Sequence, residues 1–335
     1  MFPTQASSET SARRCYDVFN GDADGLCALH QLRLAEARDS ILVTGAKRDI
    51  ALLERVPVQQ AGEVCVLDIS LDTNVGALRA LLDAGCHVQY FDHHAAQQAF
   101  EHAGLELHWD EAPEACTSIL VDQYLQGRFR LWAIVAAYGD NLEAVAAKMA
   151  AQYGLSTQQA EALQRLGTVL NYNAYGENVA DLHLAPETLF HAMQPYADPF
   201  DFISHAAEYH KLVNGYQEDA QRIAGLSPQW SQACGDIFVL PEAAWARRIS
   251  GIFANRLASE GAGRSFAVLT EQSGGSFTVS VRAGAPNEAP AHRFCEGFPT
   301  GGGRKLAAGV NHLPATDVAQ FAERFFDYFG GPAKA

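Results

Sequence analysis

Cys15-Tyr16-Asp17-Val18-Phe19-Asn20-Gly21-Asp22-Ala23-Asp24-Gly25-Leu26 is the stretch on which the fold turns. The apolar-rich run from Cys15 to Phe19 stops at Asn20-Gly21, and Leu26 to Ala37 then carries helical spacing through Leu29, Leu32 and Leu34. A strand, a tight glycine turn and a helix follow from that pattern. Downstream, Ser40 to Thr44, Val64 to Leu67 and His87 to Phe91 read as further strands, with a helix over Thr73 to Ala84. This βαβ rhythm predicts a doubly wound, mainly parallel sheet.

Beyond the sheet, Cys116 to Leu125, Leu131 to Tyr138 and Leu142 to Tyr153 carry helical patterns, as does most of Thr157 to Gly225 despite breaks near Pro186, Pro195 and Pro199. The texture changes near Ser227-Pro228. There Asp236 to Leu240 reads as a strand and Ala243 to Ser259 as a helix. Ser265 to Thr270 and Ser276 to Arg282 read as a hairpin turning near Gly274-Gly275, and Asp317 to Phe329 as a last helix. A second, smaller α/β domain is expected. The predicted division is a disordered tail at 1–14, a metal-binding domain at 15–200, a helical connector at 201–228 and a substrate domain at 229–335.

A chain of 335 residues with 48% hydrophobic composition is long enough for two buried cores. The first fourteen residues hold no apolar run of signal-peptide length, and no stretch of about eighteen apolar residues occurs, so a cytoplasmic protein without membrane spans is expected. The seven cysteines form no C-x-x-C pair and are odd in number, which speaks against a disulfide framework or a zinc knuckle. A net charge of -15 speaks against a stable complex with long nucleic acid. The charge is unevenly placed. From Gln229 onward there are 10 Lys and Arg against 9 Asp and Glu, leaving 14 against 30 before it. An acidic first part suits cations, and a neutral second part can meet an anionic substrate.

The chemistry lies in where carboxylates and histidines fall relative to the strands. Asp22 and Asp24 follow the first strand, Asp68 ends the third in Val66-Leu67-Asp68, and Asp92-His93-His94 ends the fourth. In an open parallel sheet those carboxyl ends share one edge, where ligands bind, so residues seventy positions apart converge. Asp140, after the apolar helix, can close the ring. Taken singly, each fragment also reads as a helix cap or a solvated turn. Together, so many carboxylates at one edge would repel one another without cations among them, and oxygen ligands with imidazole suit Mn²⁺ or Mg²⁺.

At this level the chain resembles the DHH phosphoesterases. Asp22-Ala23-Asp24-Gly25 is similar to that family's first motif, Asp68 to its second, Asp92-His93-His94 to the third, and Asp140 in Tyr138-Gly139-Asp140-Asn141 to the fourth. The C-terminal part resembles the DHH-associated domain. Its glycine signature is similar to Gly301-Gly302-Gly303-Arg304-Lys305-Leu306-Ala307-Ala308-Gly309, preceded by Arg282. Two positions depart from the pattern: Asn20 stands where many relatives carry a metal-binding histidine, and Arg304 where a histidine commonly follows the glycines.

The resemblance implies two divalent cations, Mn²⁺ ahead of Mg²⁺, held by Asp22, Asp24, Asp68, His93 and Asp140, with Asp68 bridging and Asn20 or water completing the weaker site. A water activated by the cations would be the nucleophile. Asp92 and His94 would orient the phosphate and the ligand imidazole, while Arg282, Arg304 and the amides of Gly301, Gly302 and Gly303 would anchor the substrate. The expected activity is a nucleotide-binding phosphodiesterase or nuclease releasing nucleoside monophosphates from a short oligonucleotide or a linear or cyclic dinucleotide. Homodimerisation is compatible with this reading. The alternatives are a hydrolase of a small phosphoanhydride or phosphomonoester, and a non-catalytic member that binds nucleotide or a partner protein.

Overall fold

The computed structural model describes residues 13–97, 101–261 and 263–331. Two compact units emerge. The first runs to Ala174 and resumes over Leu184–His210; the second comprises Tyr175–His183 and everything from Lys211 onward. The return of Tyr175–His183 to the second unit is a crossing that a reading of consecutive boundaries does not contain. Of the tail expected at 1–14, residues 1–12 lie outside the described residues. Arg13 and Arg14 are ordered by the sheet: Arg14 opens the first strand, and the Arg13 guanidinium donates to the carbonyls of Ala84 and Gly85.

The first unit begins with β1 (Arg14–Phe19), α1 (Ala23–Ala35), β2 (Ile41–Val43), β3 (Ala61–Leu67), α2 (Leu71–Asp83), β4 (His87–Asp92) and β5 (Leu105–Trp109). All strand pairs are parallel, in the order β2-β1-β3-β4-β5. The reversal of order beside β1 puts a ligand crevice at the carboxyl ends of β1 and β3. Tyr16, Val18, Val64, Val66, Val88 and Tyr90 alternate along β1, β3 and β4 and pack with Leu71, Leu78, Leu81 and Leu82 of α2 in one core. β5 escapes the sequence reading because Leu105-Glu106-Leu107-His108-Trp109 is an edge strand with mixed polarity.

The rest of this unit is helical: α3 (Thr117–Tyr124), α4 (Arg130–Gly139), α5 (Glu143–Tyr153), α6 (Thr157–Ala174), α7 (Pro186–Met193) and α8 (Pro199–His205). α4 is apolar all round, with every residue from Trp132 to Gly139 buried, as a helix packed on several sides must be. α9 (Ala207–Ile223) leads into the second unit.

The second unit continues with β6 (Trp230–Gln232), β7 (Gly235–Leu240), α10 (Ala244–Glu260), β8 (Ser265–Gln272), β9 (Ser276–Arg282), α11 (Ala291–Cys295), β10 (Gly301–Gly303), β11 (Ala307–Pro314) and α12 (Val318–Gly330). Its sheet has the order β10-β11-β9-β8-β7-β6, with β7 and β8 parallel and the other pairs antiparallel. The β8–β9 hairpin turns at Gly274 and Gly275, both with positive φ. The glycine run forms a strand: Gly301–Gly303 lies at the sheet edge, paired with Ala308–Val310 of β11. That pairing depends on a partner strand and not on any local strand propensity of glycine.

Candidate active site

Asp22 is the N-cap of α1: its Oδ1 accepts from the amides of Asp24 at 3.0 Å and Gly25 at 3.1 Å. Gly25 is required by close approach, since a Cβ there would overlap the carbonyl oxygen of Asn20. Asp24 has another task. Both its oxygens accept backbone N–H groups from the start of α3, Thr117 and Ser118, each at 2.7 Å. No side chain at Cys116 caps α3, so Asp24 does so from another helix.

Asp68 follows β3 with φ of 59°, a left-handed conformation that costs energy in a side-chain-bearing residue. Its amide donates to the Phe91 carbonyl, continuing the β3–β4 pairing by one residue. Asp92 is fully buried, and its carboxylate accepts from the amides of Leu71, His93 and His94 while holding the His94 ring at Nδ1, 2.7 Å away. Those contacts make it the anchor of the two-histidine turn. His93 Nε2 then sits 3.4 Å from Asp68 Oδ1, 3.8 Å from Asp140 Oδ2 and 3.9 Å from Asp24 Oδ2.

Asp140 arrives through the end of α4. Leu142 donates back to the Ala137 carbonyl and Asn141 to that of Tyr138, with Asn141 at φ 62°: a Schellman cap with asparagine in the usual glycine place. Gly139 lets α4 approach closely, because a Cβ there would meet the Ala23 side chain and the Gly167 carbonyl. The motif residues Gly139 and Ala23 thus bring two of the four candidate segments together.

The electrostatics match this crowding. Burial, with Asp22, Asp24 and Asp140 alongside, pushes the Asp68 carboxyl well above the usual range. Burial first, with Asp24 and Asp22 adding and Lys47 and His93 opposing, lifts Asp140 to about 6. Burial is the strongest single influence on Asp22 and would raise it, yet the charge and hydrogen bond of Lys47, together with the hydrogen bonds from Gly25 and Asp68, lower that group to about 2. Lys47 is the site residue the sequence reading missed. Its Nζ lies 2.5 Å from Asp22 Oδ2, 3.2 Å from Asn171 Oδ1 and 4.0 Å from Asp140 Oδ1. Its place just after the carboxyl end of β2 was the available signal.

Two sets of donor atoms cluster closely enough to share an ion: Asp24, His93 and Asp140, and Asp68, His93 and His94. Carboxylates this close, deprotonated only against mutual repulsion, fit divalent cations, and the mixed oxygen and imidazole set fits manganese. Asn20 Oδ1 is buried and has no hydrogen-bond partner among the described residues, a neutral oxygen two residues before Asp22. In the second unit, half-buried Arg282 ends β9 and donates to Asn255 Oδ1 at 2.7 Å. Arg304 and the backbone of Gly302 and Gly303 are exposed on the β10–β11 hairpin.

This topology has solved counterparts. The exonuclease RecJ bound to manganese superposes with a TM-score of 0.62 at 20% identity, covering 96% of this chain and 91% of that one. The chain has the RecJ fold. RecJ from Thermus thermophilus in complex with Mn²⁺ gives 0.57 at 20% identity over 97% of this chain, which spans about half (53%) of that longer one. PggH, a pGpG-specific phosphodiesterase from Vibrio cholerae, gives 0.53 at 11% identity over 96% of this chain and 99% of its own. No family model and no curated protein matches the sequence.

Proposed function

We propose that this chain is a manganese-dependent phosphodiesterase of the DHH family that hydrolyses short oligonucleotides or dinucleotides to nucleoside monophosphates. One observation carries the reading: Asp22, Asp24, Asp68, His93 and Asp140 meet at the carboxyl edge of a parallel sheet, with carboxyl groups whose mutual repulsion calls for cations. The fold shared with RecJ, crystallised with manganese, and with a pGpG phosphodiesterase supports it.

Bound cations supply Lewis acidity, neutralising phosphoryl oxygens and lowering the pKa of water. Asp24, His93 and Asp140 would hold one ion. Asp22 would serve a second, with Asp68 available to both. Asp92 acts at one remove, fixing the His93 ring through the turn it anchors. Burial lowers the His94 pKa most strongly of any one cause, but the hydrogen bond and charge of Asp92, joined by the charges of Asp22 and Asp140, raise it overall. His94, 44% exposed, presents Nε2 to solvent, where its protonated form would offer a hydrogen bond to a phosphoryl oxygen. Arg304 and the exposed glycine backbone of β10 anchor the remainder of the substrate, and Arg282 holds the strand from which β11 is hung. Among the described residues, no helix is long and apolar enough to cross a membrane.

The test is a panel of linear and cyclic dinucleotides, longer RNA, single-stranded DNA and polyphosphate, each with Mn²⁺ and with excess chelator. Turnover of linear dinucleotide, lost in chelator, is expected. Preference for polyphosphate would overturn the substrate class, and full activity in exhaustive chelator would overturn the mechanism.

A further inference from the structure

Lys47 places a positive charge inside the carboxylate cluster, and the hydrogen bonding of Asp22 determines what that charge can do. Asp22 Oδ1 is committed to the amides of Asp24 and Gly25, so only Oδ2 faces an incoming ion. Oδ2 is the oxygen that the Lys47 ammonium holds. The same ammonium reaches Asn171 and comes within 4.0 Å of Asp140, so it is fixed from three sides. Its own amide is pinned to the Ala174 carbonyl at the end of α6. Asn20, the nearest motif residue before Asp22, brings an unpartnered buried oxygen but no charge to this half of the cluster. The other half is richer, with His93 Nε2 facing Asp24, Asp68 and Asp140 within 3.9 Å.

We propose that Lys47 is a tethered cation that competes with the second divalent ion for Asp22. The inference rests on the reading of the cluster as a metal centre. The ions then load in order: the first enters at Asp24, His93, Asp140 and Asp68, and the second binds only by displacing the ammonium from Asp22 Oδ2. Two like charges cannot share that oxygen, so the contact holding Lys47 is subtracted from the affinity of the second ion. A full complement of metal then depends on the free Mn²⁺ concentration, while the tight ion stays bound at lower levels.

Calorimetric titration of the chelator-stripped full chain with Mn²⁺ alone tests this, with folding checked by circular dichroism. Wild type is expected to show one tight and one weak ion. In Lys47→Gln the weak ion should tighten by roughly ten- to a hundred-fold, the span of one charge-assisted contact, while the tight ion, whose ligand Asp140 lies 4.0 Å from the ammonium and is not hydrogen-bonded to it, tightens by clearly less. Lys47→Arg, which keeps the charge, should retain the wild-type order, and Lys47→Met supplies a second neutral variant. One ion in wild type and two in Lys47→Gln would also support the competition. An unchanged weak ion, or equal tightening of both, would overturn it. If the wild type and all the variants bound no Mn²⁺, the metal reading itself would fall, and this inference with it.

Discussion

At the residue scale the site is governed by how each carboxylate's two oxygens are spent. Asp24, in the first turn of α1, and Asp92, the last residue of β4, are both committed to backbone amides, Asp24 to the start of α3 and Asp92 to its own turn. Asp68, the proposed bridge, has its backbone in the left-handed region and its carboxyl raised by burial and three neighbouring carboxylates. Asp68→Ala should therefore lower kcat by at least about a hundred-fold, whereas Asn20→Ala, which removes a neutral oxygen, should cost about ten-fold or less. Steady-state kinetics with metal content measured alongside will check this; persistent turnover with unchanged metal in Asp68→Ala would remove it from the bridge. Asp140 gives a pH signature. Its folded pKa, about 6, lies above the ordinary 3.8, so the folded chain binds that proton more tightly than the unfolded chain does. In metal-free protein its contribution to stability is greatest below 3.8 and is lost as pH rises through about 6. Asp22, depressed to about 2, has the opposite sign: its contribution is present above 3.8 and lost as pH falls towards 2. Denaturant melts of chelator-treated protein should show a decline from about pH 4 to about pH 6 that is weaker in Asp140→Asn. The same proton opposes metal, so Mn²⁺ affinity should rise with pH through about 6, by as much as roughly ten-fold per unit for each proton released.

At the element scale, the ends of helices deliver the site more than their bodies do. α1 is capped by the candidate ligand Asp22, α3 is capped by Asp24, and α4 ends in a Schellman turn whose first residue beyond the helix is Asp140. Asn141 holds φ at 62°, which asparagine and glycine accept and a β-branched residue does not. Asn141→Val should lower stability by about 1–2 kcal/mol, with a further loss of metal affinity because Asp140 rides on that turn. Asn141→Gly should be neutral or slightly stabilising. Thermal melts with and without Mn²⁺ distinguish a cap defect, which lowers both, from a ligand defect, which removes only the metal-induced shift.

At the scale of the whole molecule, two units each carry a part of the expected function. The first holds the acidic cluster; the second carries Arg282 and the glycine hairpin with Arg304. Arg304→Ala should lower kcat/KM for a dinucleotide by roughly ten- to a hundred-fold while sparing a nitrophenyl phosphodiester. Arg282→Ala should do the same and also destabilise the unit, because its guanidinium is bonded to Asn255 of α10. Equal losses on both substrates would place these arginines at the reacting phosphate. The sequence by itself determined the alternating strands and helices of the first unit, and with them the common edge of Asp22, Asp24, Asp68 and His93, whereas Asp140 is brought there by the packing of α4 on Ala23 and Gly167. In a parallel sheet, position at a strand's carboxyl end is already a position in space. Local patterns could not determine what depends on partners distant along the chain. The edge strand β5, the pairing of Gly301–Gly303 with β11, and the return of Tyr175–His183 to the second unit belong here. So does Lys47, an ordinary lysine in sequence, whose meaning comes only from Asp22, Asn171 and Asp140 closing around its ammonium.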